Sequence, residues 1–450
     1  MSTDLSTVSA VDRRRVAFAT VVGTAVEWYD YFIYASAAGL VFGTLFFEPA
    51  GPGFGTILSF LTVGVSFLFR PLGAFLAGHF GDKVGRRPVL VATLILMGAS
   101  TALIGLLPTY EAIGIGAPLL LVLLRILQGV SAGGEWGGAV LMAVEHAPRN
   151  RRGLFGAMPQ IGVPIGLLMA SAMMASMDAL FPGDAFLDWG WRIPFLFSVV
   201  LILVGSWLRR SVEESPVFAE IAERKEQAKA PIVDLFARFT PLVLLSALVF
   251  VGNSAVGYMT TGGYIQRYAT DPDGALGLDR GSVLWAVTVS SISWLLATLA
   301  AGWICDVIGR RNTYIVGWCV QGVFVLTLFP LVNTGSVVLL GVGLVLLTLG
   351  LGLTYGAQSV WYTELFPASV RFSGVSISYA LGSILGGAFA PTIAQWIQQS
   401  TGSSMNVAYY LLGMTALGLV GTLLLRDRKG VDLSPASEAK QQVGIYAWEK

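Results

Sequence analysis

The stretch GHFGDKVGRR, residues 78–87, returns as GWICDVIGRR at residues 302–311. Both read G-x3-D-x2-G-R-R, and Asp306 follows Asp82 by 224 residues. A second pair, EHAPRNRRG (145–153) and ELFPASVRFSG (364–374), shares E-x2-P-x3-R at an offset of 219 residues. Two motifs recurring in the same order at nearly one offset mark a duplicated chain. The glycines permit a tight interhelical turn and close approach of the next helix. Asp82 and Asp306 end their helices where arginines can pair with them, and such pairs can hold a face closed and break when it opens.

The chain around these motifs is 450 residues long, 55% hydrophobic and 12% charged, with mean hydropathy +0.71. Soluble domains carry about 25% charged residues. The sequence therefore describes a polytopic membrane protein. Its 54 glycines suit closely packed bilayer helices. Apolar windows of about 20 residues place twelve spans near 16–42, 56–80, 88–108, 116–144, 153–177, 190–209, 240–266, 282–306, 312–333, 336–362, 372–398 and 404–426. The basic DRRR at 12–15 precedes an apolar run too long for a signal peptide and without a small-residue cleavage site, so it reads as a retained first helix.

With twelve spans the loops alternate sides, and 23 of the 28 basic residues fall on one side. The positive-inside rule makes that side, with both termini, cytoplasmic. The expected organisation is a tail over 1–15, a six-helix bundle over 16–209, a cytoplasmic central loop over 210–239, a second six-helix bundle over 240–426 and a cytoplasmic tail over 427–450. Cys305 and Cys319 sit in apolar runs, and His79 and His146 lie far apart, so no disulfide framework or zinc spacing exists. No GxSxG, no nucleotide-binding GxxxxGK[ST] and no repeated channel filter is present, and a net charge of +1 gives no reason to expect nucleic acid. These patterns argue against an enzyme, a channel and a nucleotide-driven pump. No cofactor is expected; an ion gradient is the expected energy source.

Five ionisable residues lie inside the spans: Glu27, Asp30, Arg70, Arg125 and Glu135. An acid at mid-bilayer costs roughly 2.5–3.5 kcal/mol even on the mild insertion scale, so such groups are functional or mutually paired. Glu27 and Asp30 are three residues apart and share a helix face, with Tyr31 and Tyr34 continuing it. Two acids facing one low-dielectric cavity resist double ionisation, which suits a proton carrier, Asp30 first. Arg125, with Gln128 one turn on, is the natural fork for an organic carboxylate, or a fixed partner for Glu27 or Asp30. Arg70, beside Pro71, reads equally as gate or substrate contact. Glu135 stands off the Gly129–Gly133–Gly137 packing face and is a further candidate for coupling, whereas Trp136 reads as packing. Pro159 and Pro164 kink the fifth span, and Gln160 between them can line a cavity. Asn253, Tyr258, Tyr264, Gln266, Gln321, Tyr355, Gln358 and Tyr379 are the polar candidates of the second half.

The duplicated D-x2-G-R-R loop resembles the hallmark of the major facilitator superfamily. Within it, VEWYDYFIYA (26–35), RILQGVSAGGEWGGAVLMAVEHAPRNRRG (125–153), GWRIPFLFS (190–198), ESPVF (214–218) and ELFPASVRFSGVSISYALGSILGG (364–387) resemble the metabolite:proton symporter family, nearest its shikimate-carrier branch. The resemblance spans residues 13–426. It implies an all-α fold of two pseudo-symmetric six-helix bundles and a central cavity with alternating access. It also implies proton-coupled import of a small organic acid across the cell membrane by a monomer. Proton coupling then falls to Asp30, Glu27 and Glu135. Substrate contact falls to Arg125, Gln128, Tyr31, Tyr34, Gln160, Asn253, Tyr258, Tyr355 and Gln358. Gating falls to Arg70, Asp82, Arg86, Arg87, Glu145, Arg152, Asp306, Arg310, Arg311, Glu364 and Arg371. A proline/betaine importer is the alternative, but the 25-residue tail RDRKGVDLSPASEAKQQVGIYAWEK has no heptads of an osmosensing coiled coil. GVPIG only loosely resembles the antiporter Gly-Pro motif, and GNSAVGYMTTGGYIQ (252–266) lacks the glutamine-rich motif of sugar carriers. A non-transporting sensor would leave Glu27, Asp30 and Arg125 unexplained.

Overall fold

A computed structural model describes residues 10–84, 86–133, 135–145, 147–210, 231–261, 263–272 and 274–449. The side chains of Asp82, Arg86, Arg87 and Glu135, four of the site candidates, lie outside the described residues. Long helices dominate: α1 (Ala10–Ala37, prolonged by a π turn Ala38–Phe42), α2 (Pro52–Val84), α3 (Arg86–Leu106), α4 (Gly116–Ser131, resuming as Glu135–Glu145), α5 (Arg152–Leu180) and α6 (Arg192–Arg210). The second set comprises α7 (Pro231–Thr261), α8 (Arg280–Ile308), α9 (Arg310–Val332), α10 (Val337–Leu365), α11 (Arg371–Gly382, a π turn Ser383–Ala388, then Ala390–Thr401) and α12 (Ser404–Leu424).

Among the described residues, ten of these are long and apolar enough to cross a membrane. The other two are α1, diluted by its acids and N-terminal arginines, and α3, whose apolar part is Ala92–Leu106. Large apolar side chains such as Leu203, Val338 and Trp303 are exposed on the outer surface. In water such a surface would be a liability; in hydrocarbon it is the solvent-matched face.

Helix neighbours repeat across the two halves. α1 packs on α5 as α7 packs on α11; α2 on α4 as α8 on α10; α3 on α6 as α9 on α12. The halves meet along α5 and α8, and along α2 and α11. Small residues set these distances. A Cβ at Gly129 would lie 2.2 Å from the Ser66 carbonyl oxygen, and one at Gly166 would lie 2.8 Å from the Tyr29 amide nitrogen. Glycine thus lets α4 lie directly on α2, and α5 on α1. α5 runs as one helix through Pro159 and Pro164. α7 breaks helical geometry at Phe239, two residues before Pro241.

The tail is an ordered element. Leu425 bridges to Tyr446, and the segment between them folds back over the end of the molecule that carries the arginine motifs, termed here the basic face.

Candidate transport site

The first site lies within the first half. Asp30 is 3% exposed and accepts hydrogen bonds from Thr101 Oγ1 of α3 (2.9 Å) and Ser198 Oγ of α6 (2.7 Å). The Thr101 hydroxyl in turn accepts from Gln128 Nε2 (2.6 Å), and Gln128 Oε1 accepts from Arg125 Nη1 (2.7 Å). A carboxylate and a guanidinium, both buried, are therefore joined through one hydroxyl and one amide rather than by direct contact. The close α2–α4 approach at Gly129 puts Arg125, one turn earlier, against α2. There it donates to the carbonyls of Thr62 (3.3 Å) and Val63 (3.1 Å) and to Ser66 Oγ (2.8 Å). The ring of Tyr34 lies 3.8 Å from its guanidinium carbon.

Glu27 turns toward a different helix. Its carboxylate faces α2, 3.7 Å from Arg70 Nη2. Arg70 lies over Phe67 (4.4 Å) and Trp28 (5.9 Å). Tyr31 and Tyr258 complete a closed aromatic box with these rings, with centroid separations of 5.2 Å for Trp28–Tyr31, 5.5 Å for Tyr31–Phe67, 5.4 Å for Phe67–Tyr258, 5.2 Å for Trp28–Tyr258 and 5.3 Å for Tyr31–Tyr258 across it, so the rings fill the space between one another. Tyr258 comes from the second half, so the box straddles the interface. Beside it, Trp136 stacks on Tyr379 at 3.8 Å and donates to Gln160 Oε1. Gln160 Nε2 donates to the Tyr355 carbonyl (3.2 Å) and to Gln358 Oε1 (3.3 Å) across the interface. Asn253 is turned elsewhere: it ties α7 to the Leu351 carbonyl of α10. Gln321 likewise stays within the second half, donating to Thr415.

Ion pairs and hydrogen bonds join the two halves at both ends of this interface. At the basic face the E-x2-P-x3-R motifs exchange partners: Glu145 pairs with Arg371 (3.0 Å) and Glu364 with Arg152 (3.5 Å). Each glutamate of one copy thus meets the arginine of the other. Glu364 also holds Arg310 at 3.0 Å. Asp306 pairs with Arg310 (2.9 Å) and accepts from the backbone N–H groups of Gly153 and Leu154, so it caps the first turn of α5 from the other half. Arg311 instead points at the C-terminal carbonyls of α12, including Leu423 (2.9 Å). At the opposite face Asp178 of α5 pairs with Arg280 of α8 (3.2 Å), and Thr288 donates to Ser171. Neighbouring Asp279, outside the span, is held below the usual carboxylate range, first by the hydroxyl of Ser282 and then by its N–H, while it caps α8.

Thr101, Ser198 and Phe67 escaped the sequence reading, and Trp136, expected only to pack, also donates to Gln160. Hydroxyls and rings inside apolar spans carry no periodic signal; only the position of a buried acid on a neighbouring helix singles them out.

The arrangement is that of a known family. The Major Facilitator Superfamily profile matches residues 16–371 and again 242–450. The chain is 41% identical over 420 residues to the inner membrane metabolite transport protein YhjE of Escherichia coli K12, covering 93% of this chain and 95% of that one. It is 36% identical over 429 residues to the shikimate transporter of the same organism, covering 94% and 97%. Its fold superposes on the proton:xylose symporter XylE bound to 6-bromo-6-deoxy-D-glucose with a TM-score of 0.73 at 16% identity, covering 95% of this chain and 98% of that one. Duplicated motifs, paired helix packing and these relatives agree: the chain is a membrane transporter that belongs to the Major Facilitator Superfamily, among its metabolite transport proteins.

Proposed function

We propose that the protein imports a small organic acid, shikimate or a related hydroxylated carboxylate, together with protons by alternating access. The observation that carries this reading is the chain Asp30–Thr101–Gln128–Arg125. A buried acid whose counter-ion is two hydrogen bonds away gains or loses a proton with only local rearrangement. When Asp30 is protonated it becomes a donor, so the Thr101 hydroxyl and the Gln128 amide reorient and Arg125 loses its link to a negative charge. Arg125 is thereby a coupling residue, with Gln128 as the link and Tyr34 as the ring beneath it. Glu27, which faces Arg70 beside the interface, and Glu135 are kept as further proton sites.

The halves over residues 16–209 and 240–426 move against each other. The motif loops and both termini face the cytoplasm, because 23 of 28 basic residues lie on that side. Asp306, Arg310, Glu364, Arg152, Glu145 and Arg371 form the cytoplasmic gate, with Asp82, Arg86 and Arg87 as its counterpart in the first half. The reading is tested by uptake of labelled shikimate into proteoliposomes under an inward proton gradient. Accumulation that a protonophore abolishes supports symport; accumulation indifferent to it refutes proton coupling.

A further inference from the structure

We infer that Arg70, rather than Arg125, receives the carboxylate of the transported acid, beside the aromatic cluster of Trp28, Tyr31, Phe67 and Tyr258. This assignment rests on the proposed transport of an organic acid. The guanidinium of Arg125 is already occupied by two carbonyls, a hydroxyl, an amide oxygen and a ring. Arg70 has an unsatisfied Nε, and its ion pair with Glu27 is 3.7 Å long, well beyond the 2.7–2.9 Å of a good charge-assisted hydrogen bond. A substrate carboxylate can take that place when Glu27 is protonated, since two ionised carboxylates on one buried guanidinium repel each other. The hydroxyl of Tyr31 and the indole N–H of Trp294 are also buried without a partner, Tyr31 at 4% exposure and Trp294 at 1%. Unsatisfied buried donors are costly and mark where polar atoms of a ligand belong.

The box also selects the body of the ligand. The rings now pack on one another, and once they part to admit a ligand their faces suit a flat or cyclic carbon skeleton. They would equally suit a quaternary ammonium, but Arg70 already places a cation over two of the rings, and like charges repel. The site therefore takes a monocarboxylate with an uncharged body and disfavours betaines.

The test is ligand binding to the full-length protein in nanodiscs, with shikimate, its methyl ester and glycine betaine. Wild type should bind shikimate and neither of the others. Arg70→Gln should weaken shikimate at least about thirtyfold and Arg70→Lys less, since the fork is lost but the charge kept. Tyr258→Ala, which leaves Arg70 in place, should weaken it about tenfold and serves if Arg70→Gln misfolds. Unchanged affinity in Arg70→Gln, betaine binding, or no shikimate binding by wild type overturns the assignment. Shikimate binding that depends on Arg70 without protonophore-sensitive accumulation would refute proton coupling and leave Arg70 standing.

A separate set of contacts leads to a second proposal: the geometry points to residues 426–449 as a latch that holds the basic face shut. The tail is rooted in the second half. Arg428 donates to the carbonyls of Leu365 and Gln441, Gly430 N–H to Glu364, and Arg371 to the Leu433 carbonyl and Gln441. It reaches the first half through two arginines: Arg152 donates to the Val431 carbonyl (2.6 Å) and Arg149 pairs with Asp432 (2.8 Å). A strap fixed to one half and hooked on the other must unhook whenever that face opens. Cys305 is a native reporter of opening, because it is buried beneath Gly153 of the opposite half. In a Cys319→Ser background, Asp432→Asn and Arg149→Gln should each speed maleimide labelling of Cys305 by about two- to fivefold, the range an exposed ion pair supports. The double variant should add nothing further. Labelling at the parental rate in both single variants overturns the latch.

Discussion

Replacing Asp30 with Asn tests the coupling reading most directly. Asparagine keeps the shape and one acceptor, so one of the Thr101 and Ser198 hydroxyls stays satisfied, and Thr101 also bonds to the Met97 carbonyl at 2.9 Å. Losing one hydrogen bond to a charged group costs about 1.5–3 kcal/mol, offset by removal of a buried charge. The variant should therefore fold, with a thermal midpoint within a few degrees of wild type. What changes is the energy available for transport. One proton per monoanion is electroneutral, and each pH unit across the membrane supplies about 1.4 kcal/mol, or tenfold accumulation. A gradient of about two pH units should let wild type concentrate shikimate roughly a hundredfold. Asp30→Asn should reach a ratio of about one, while exchange of internal for external shikimate continues, because the Arg70 box is untouched. Proteoliposome uptake measures the first and counterflow the second. Accumulation near tenfold per pH unit in Asp30→Asn would refute Asp30 as the coupled acid.

Gly129→Val should shift α4 away from α2 and cost about 1–3 kcal/mol of stability through overpacking; an unchanged melting temperature with full transport would contradict the close contact at Ser66. Glu364→Gln leaves Arg310 buried with only Asp306 as a charged partner, and loss of such a partner costs about 3–5 kcal/mol; a melting temperature equal to wild type would contradict it. Asp306→Asn should slow turnover more than it weakens binding, read as a fall in maximal rate at constant KM; loss of affinity alone would argue against a gate. The Asp432 carboxyl is held below its usual range, first by the Ser434 N–H and then by the Ser434 hydroxyl and Arg149. A depressed group keeps its contribution above its ordinary value and loses it only as pH falls through the lowered one. The ratio of Cys305 labelling in Asp432→Asn to that in the parent should therefore stay flat from about pH 8 to pH 6; a ratio that collapses within this range would contradict the ionised latch.

The bilayer makes much of this protein legible from one chain. Hydrocarbon forces every span to be apolar and about 20 residues long, so the windows proposed from hydropathy each coincide with a helix of the structure. The same cost of buried charge makes Glu27, Asp30, Arg70 and Arg125 stand out. The repeat reveals the duplication, since two copies of a motif need no coordinates to be compared. The partners were not legible. Glu145 meets Arg371 and Glu364 meets Arg152, a reciprocal exchange that exists only because the halves face each other across a pseudo-twofold axis. Asp30 and Glu27 share a helix face, yet one turns to α3 and α6 and the other to α2, because each acid is drawn to the nearest donor on a different neighbour. Arg125 looked like an open fork, but the Gly129 contact presses it against backbone carbonyls, which have no residue-type signature. Sequence carries the cost of placing a group in the membrane; tertiary packing alone decides which group answers it.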